Sequence, residues 1–341
     1  MLRIHRLRMA PAQGRSVSPD WNKLCTVMKA NLALRLFTIV LVVAVAHFVL
    51  TPTHAQAQVR GVYPVGMSAT NSGVTPEAGV SYSNLFIFFS RDEEKGPHGE
   101  ILATGQNSIM MDMNSFVWVS KKEIGFLGGA VFSASASLPI ANNSLTSDVN
   151  GALSGGGGFA DSYYQPFILG WRKQRIAIRA TYGFLAPTGR FSAGANTNVG
   201  SGYWTQVVAS GQTVYLNPSK ATALSAFQMY EFHGSQQGTM VHPGQTFNLD
   251  YSLTHTLALQ PNLRLQLGLV GYGQWQTTEK YGPNITAEQA ATRYKVNALG
   301  FAANAILPEH KVSVGAKYFH EFECRSTFQG YTLQISGTIA F

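Results

Sequence analysis

The chain has 341 residues, of which 45% are hydrophobic, 11% aromatic and only 12% charged, with 34 glycines. That charge density is about half the roughly 25% typical of soluble domains. A mean hydropathy close to zero excludes a bundle of apolar transmembrane helices, and the hydrophobic content excludes a disordered chain.

From Leu36 to Leu50 the chain is continuously apolar, with Lys29 and Arg35 before the run and Ala55-Gln56-Ala57 after it. A basic start, a short apolar run and a small-x-small site describe a cleaved signal peptide, since a helical anchor needs about 20 apolar residues. Residues 1–57 therefore read as a leader, with Met28 an alternative start because the stretch before it is long for a basic n-region. The leader holds seven of the 25 basic residues and one of the 17 acidic ones. The remainder has 18 against 16, a net charge of +2, which gives nucleic-acid binding little support. Cys25 goes with the leader, and the lone Cys324 excludes an internal disulfide. No Cys-x-x-Cys or His-x-x-x-His spacing points to a metal, so neither metal nor cofactor is expected.

Residues 58–78 (QVRGVYPVGMSATNSGVTPEA) alternate little and carry two prolines. They are read either as a plug or as a periplasmic tail. Beyond them the chain alternates with a period of two, the mark of strands with one apolar and one polar face. The pattern predicts about twelve strands (12–14), near 79–91, 106–120, 123–137, 160–172, 174–186, 202–216, 221–233, 245–258, 262–277, 294–307, 311–322 and 328–341. Phe247, Leu249, Tyr251 and Leu253 alternate with Thr246, Asn248, Asp250 and Ser252; Leu263 to Leu269 and Tyr331 to Phe341 repeat the pattern. Turn-rich stretches separate the strands, and the Gly155–Gly158 run reads as a flexible loop. It is no phosphate loop, because no Gly-Lys-Ser/Thr follows it.

A soluble sandwich and a transmembrane barrel both contain such strands. Runs of about ten residues match a tilted strand crossing hydrocarbon better than the usual soluble length of about five or six. Thr, Gln, Asn and Ser suit a wet lumen, and aromatics near strand ends suit interfacial girdles. Lipid admits only a closed sheet. The expectation is an all-β, antiparallel outer-membrane barrel over residues 79–341, with lipid and, through the C-terminal Phe341, the outer-membrane assembly machinery as partners. About twelve strands leave a lumen between the filled eight-stranded barrels and the open 16-stranded ones, which a short internal segment would largely close.

Arg175, Arg179, Asp250, Arg264 and Lys317 share the polar parity and are candidates for a charged constriction that orients small solutes; the plainer reading is a wetted interior with mutual ion pairs. His233 and Ser235 lie two apart, hence on one face, and a His-x-Ser pair is similar to that of outer-membrane phospholipases. An esterase also needs an orienting group and an oxyanion stabiliser, and no Asn-Gly-Arg is adjacent. A loop-side polar cluster is the preferred reading, and the chain is expected not to be an enzyme.

Asp161, Gln165-Pro166, Leu169-Gly170-Trp171 and Ala186-Pro187-Thr188-Gly189 follow one another in order. Tyr230-Glu231-Phe232, Asp250-Tyr251, Gly271-Tyr272 and Gln274 come after them, with Tyr63-Pro64-Val65-Gly66 and Pro76-Glu77-Ala78-Gly79 in front. This ordered set resembles the outer-membrane proteins associated with the meta-pathway of phenol degradation, a family related to the transporters of fatty acids and aromatic hydrocarbons. The resemblance implies passive uptake of small hydrophobic or aromatic compounds through a plugged barrel. The loop His233–Thr239 departs from the family's Asn-rich pattern, so phenol itself is not carried over. The alternatives are a general porin and a structural barrel without cargo.

Overall fold

The computed structural model describes residues 60–147, 151–195 and 197–341; the expected leader lies outside them. These residues form thirteen strands: β1 (Gly79–Lys95), β2 (Ile101–Ile124), β3 (Ala130–Ser147), β4 (Gly151–Phe159), β5 (Ser162–Arg172), β6 (Ile176–Ala186), β7 (Thr205–Tyr215), β8 (Thr222–His233), β9 (Thr246–Gln260), β10 (Leu263–Gln276), β11 (Lys295–Leu307), β12 (Val312–Arg325) and β13 (Thr327–Ala340). Each is antiparallel to its neighbours. β3 pairs with β4 through Ile140–Ser147 and with β5 through Val131–Ser137, so β4 and β5 stand end to end and share one place in the wall. β1 pairs with both β2 and β13. With β2 also paired to β3, the sheet closes as a twelve-position barrel, and only the short β4, paired on one side to β3, extends beyond the closed ring. Among the described residues no helix is long and apolar enough to cross a membrane.

Alternation sets the two faces. On β8, Ser225, Phe227, Met229, Glu231 and His233 are buried inside, whereas Leu224 and Phe232 are about half exposed outside. Outward rings pair at both ends of the wall, Phe184 with Trp204 and Phe247 with Trp275 toward the loops, Trp118 with Phe132 toward the turns. Such pairs form the two girdles that bracket an apolar band. Polar patches interrupt the band: Ser210, Gln212 and Gln228 face outward on β7 and β8, and a second patch lies on β1 and β2. Tyr82, Asn84, Asp112 and Asn114 all face outward on β1 and β2. Tyr82 Oη donates to Asn114 Oδ1 at 2.6 Å, and the Asn84 amide donates to Asp112 and to Asn114.

Two expectations are corrected here. The third strand runs over 130–147 rather than 123–137, because Gly128 and Gly129, with φ of +69° and +78°, turn the chain where alternation appeared continuous. The Gly155–Gly158 run is not a loop but part of β4, paired with β3. In β5, register slips between Tyr164 and Phe167 on the β6 side. Pro166, which has no N–H for a ladder, sits at this bulge, where prolines in sheets are tolerated. Inward parity switches there, from Tyr163 to Ile168 and Gly170.

Residues 60–78 cross the lumen from the loop end to the turn end. Arg60 pairs with Glu321 near the loop-side start of β13, and Glu77 pairs with Arg172 at the turn end of β5. Between these points Tyr63, Val65 and Ala69 pack on Ile87, Phe227, Met229, Tyr272 and Phe319. The loop-side half of the lumen is thus a packed interior built partly by this segment.

Candidate functional site

Three inward carboxylates hold the crossing segment. Glu231 accepts Val62 N–H at 2.8 Å and Tyr63 N–H at 3.3 Å. Asp250 accepts Tyr63 Oη at 2.7 Å, Gly66 N–H at 2.9 Å and Ser68 N–H at 3.1 Å. Glu321 receives the Arg60 guanidinium as a fork, at 2.6 and 2.8 Å. Lys317 Nζ donates to the carbonyls of Gly66 and Met67 at 2.9 and 2.8 Å, and Gln334 donates to Val65 O at 2.9 Å. Backbone buried in a barrel needs such partners, because no strand ladder satisfies it. Burial opposes the charge on Arg60, but the Glu321 pair holds its pKa above the ordinary value. Burial, then the neighbouring Asp250, pushes the Tyr63 phenol up.

Below this packed half lies a lumen cavity of about 330 Å³. Its roof is Tyr63, Met67 and Ser68 of the segment, and its walls mix Leu85, Met113, Tyr163 and Phe227 with Ser115, Ser135, Ser137, Ser313 and Ser336. The lining reaches Ser313 and Thr338, close to the turn end of β12 and β13. A larger groove of about 750 Å³ runs along the outer wall past Leu253, Leu267, Leu269, Phe301 and Tyr318; it faces lipid.

The five residues expected at a constriction separate into three kinds. Asp250 and Lys317 meet inside the lumen, on either side of Gly66, and are engaged by the segment. Arg179 lines the cavity. Arg175, in the turn between β5 and β6, and Arg264, the second residue of β10, are exposed at the turn end and join none of the others. Nor are His233 and Ser235 a pair: His233 Nδ1 and Nε2 lie 2.9 and 3.2 Å from the hydroxyls of Thr205 and Thr246. Ser235 Oγ instead lies 2.6 Å from His242 Nε2. Among the described residues no group of three or more His, Cys, Asp and Glu is placed to hold a metal.

Sequence reasoning missed Glu231 and Glu321 as anchors. The inward parity of Glu231 beside Met229 and His233 was a usable signal; the partners of both carboxylates, more than 150 residues away in the chain, were not. Several quoted motif residues build the frame. Asp161 accepts Gly189 N–H at 3.0 Å and Ser201 N–H at 2.7 Å, and Thr188 Oγ1 accepts Ser162 N–H at 2.9 Å. Together they stitch the loop after Pro187 to the start of β5. Gln165 Oε1 accepts Ser135 Oγ at 2.7 Å across the bulge at Pro166. Trp171 Nε1 donates to Leu127 O at 2.7 Å, tying β5 to the β2–β3 turn. Tyr251 lies over Gly271 on the outer face, whereas Tyr272 points inward and donates to Glu321 at 2.9 Å.

The family model described as "Putative MetA-pathway of phenol degradation" matches residues 91–336. The chain belongs to this family. Its fold is shared with the COG4313 outer-membrane channel from Pseudomonas putida F1, at 13% identity and a TM-score of 0.64, over 80% of this chain and 98% of that one. Looser overlaps include the β domain of the Bordetella autotransporter BrkA (10% identity, TM-score 0.48, 78% of this chain and 100% of that one). They extend to the CymD monoaromatic hydrocarbon channel (12% identity, TM-score 0.33, 78% and 89%). No curated protein matches the sequence. The family member described here is a closed antiparallel β-barrel with an apolar outer band.

Proposed function

We propose that this barrel is a passive channel for small hydrophobic or aromatic compounds, and that residues 60–78 are its plug. The carrying observation is the lumen itself, a cavity walled by rings, thioethers and hydroxyls and roofed by a peptide held by hydrogen bonds, apolar packing and two ion pairs, with no ladder pairing to the wall. Loss of those contacts opens a path along the inner face of β8 to β13 without disturbing the ladder. Apolar surface in the cavity compensates a ring for leaving water, and the serine-rich side keeps the pocket wet enough for release. No energy-coupling motif is visible in the sequence, so flow follows the gradient. Family membership and a fold shared with a channel support this reading.

Liposome swelling with the purified barrel tests it. Aromatic alcohols should enter faster than sugars of similar size, and removal of residues 60–76 should raise both rates. Equal rates for sugars and aromatics in the intact protein would instead mark a general porin, and no permeation of either would mark a structural barrel.

A further inference from the structure

Arg179 projects into the cavity from β6, between Gly170 of β5 and Gly211 of β7. The flanking glycines have no side chains to answer its charge. Among the described residues no ion pair or hydrogen bond engages Arg179, and its buried Nε has no partner. The Tyr163 hydroxyl is likewise buried without a partner, and Tyr163 lines the same cavity. Gln165, whose Oε1 is taken by Ser135, offers its amide N–H groups beside them. Lys317 is the other cation in the lining, and no carboxylate lines the cavity. The guanidinium is partly accessible to the cavity while its Nε is buried, so a ligand reaching it there meets a cation that no counter-ion answers.

We propose that this cavity is a binding site for a small aromatic carboxylate. The Arg179 fork takes the carboxylate, Tyr163 Oη donates to the same group, and the ring lies against Phe227, Tyr63 and Met67. An arginine fork matches the two oxygens of a carboxylate, while the rings on the opposite wall offer the offset contact an aromatic prefers. A neutral aromatic would leave both donors unanswered. The cavity volume lies at the lower end of the range for small-molecule sites, which suits a single ring. The inference rests on the channel reading and narrows its cargo.

Titration of the intact barrel in detergent with benzoate, benzyl alcohol and chloride tests the proposal. Benzoate should bind about tenfold or more tighter than benzyl alcohol, the advantage expected of a hydrogen bond to a charged group. Arg179→Gln should remove that advantage and leave benzyl alcohol unchanged; Tyr163→Phe should weaken benzoate severalfold; Lys173→Gln, an equal loss of charge in the exposed turn, should change neither. Equal binding of benzoate and benzyl alcohol, or an Arg179→Gln variant that binds benzoate as before, overturns the site. Chloride competing at the concentration at which benzoate binds overturns the aromatic class. If Arg179→Gln fails to give the folded, heat-modifiable form, Tyr163→Phe and the wild-type contrast decide the matter. Benzyl alcohol permeating as fast as benzoate, with the charge variants silent, sinks this inference alone, whereas no aromatic permeation at all sinks the channel reading.

Discussion

Asp250 accepts three hydrogen bonds from residues 63–68 and faces Lys317 across Gly66. Replacing it by alanine leaves those donors buried without a partner, a loss of about 1–3 kcal/mol for each group left unsatisfied. Hydrogen exchange should then accelerate over residues 60–70 while the strands stay protected. Gly66 tests the same contact sterically. Its φ is +80°, and a Cβ there would stand 2.6 Å from the Phe319 ring. Gly66→Ala is expected to weaken docking of the segment by about 1–3 kcal/mol through overpacking and backbone strain, seen as increased single-channel conductance with an unchanged melting temperature of the wall. An unchanged conductance would mean that the segment does not close the lumen. These partners lie about 180 residues apart, which is why parity alone identified Asp250 and Lys317 as inward but gave no sign of what they hold.

The bulge in β5 shows how one residue governs a whole element. Because side chains in a strand alternate with a period of two, a slip by one residue exchanges its faces. Deletion of Pro166 would only remove the extra residue, leaving Tyr164 opposite Phe184, Phe167 opposite Tyr182 and Ile168 and Gly170 still inward, and is expected to retain the heat-modifiable form on gels. An alanine inserted between Ile168 and Leu169 would instead turn Gly170 toward lipid and Trp171 into the lumen and should abolish that form. The same arithmetic explains what was legible in the sequence. β8, β9, β10 and β13 keep one parity along their paired length, so their positions and faces could be read directly. β5 changes parity at its bulge and so reads weakly. β3 was displaced because the Gly128-Gly129 turn interrupts a pattern that apolar and small residues continue on both sides. Arg175 and Arg264 had the right parity but sit at strand ends, where a shift of one or two residues decides between lumen and solvent. The crossing of the lumen by residues 60–78 has no period, since each residue is placed by a different strand.

For the molecule as a whole, the outer surface must match a band of hydrocarbon, and the Tyr82–Asn84–Asp112–Asn114 cluster departs from it with a carboxylate. The mutual hydrogen bonds lessen the penalty of polar atoms facing lipid, but a carboxylate there still costs something, less than the roughly 2–4 kcal/mol of a cation at the midplane. Asp112→Leu is expected to stabilise the barrel in bilayers by about 1 kcal/mol, measured as a raised urea midpoint; a lowered midpoint would mean the cluster is covered by something other than lipid. The seam between β1 and β13 bears on the order of biogenesis. The peptide that leads directly into β1 ends up within the ring that the first and last strands close, so either the wall wraps around it or it threads a finished ring. A bulky domain fused ahead of Arg60 separates the two routes, because a wrapping wall accepts it and a finished ring blocks it.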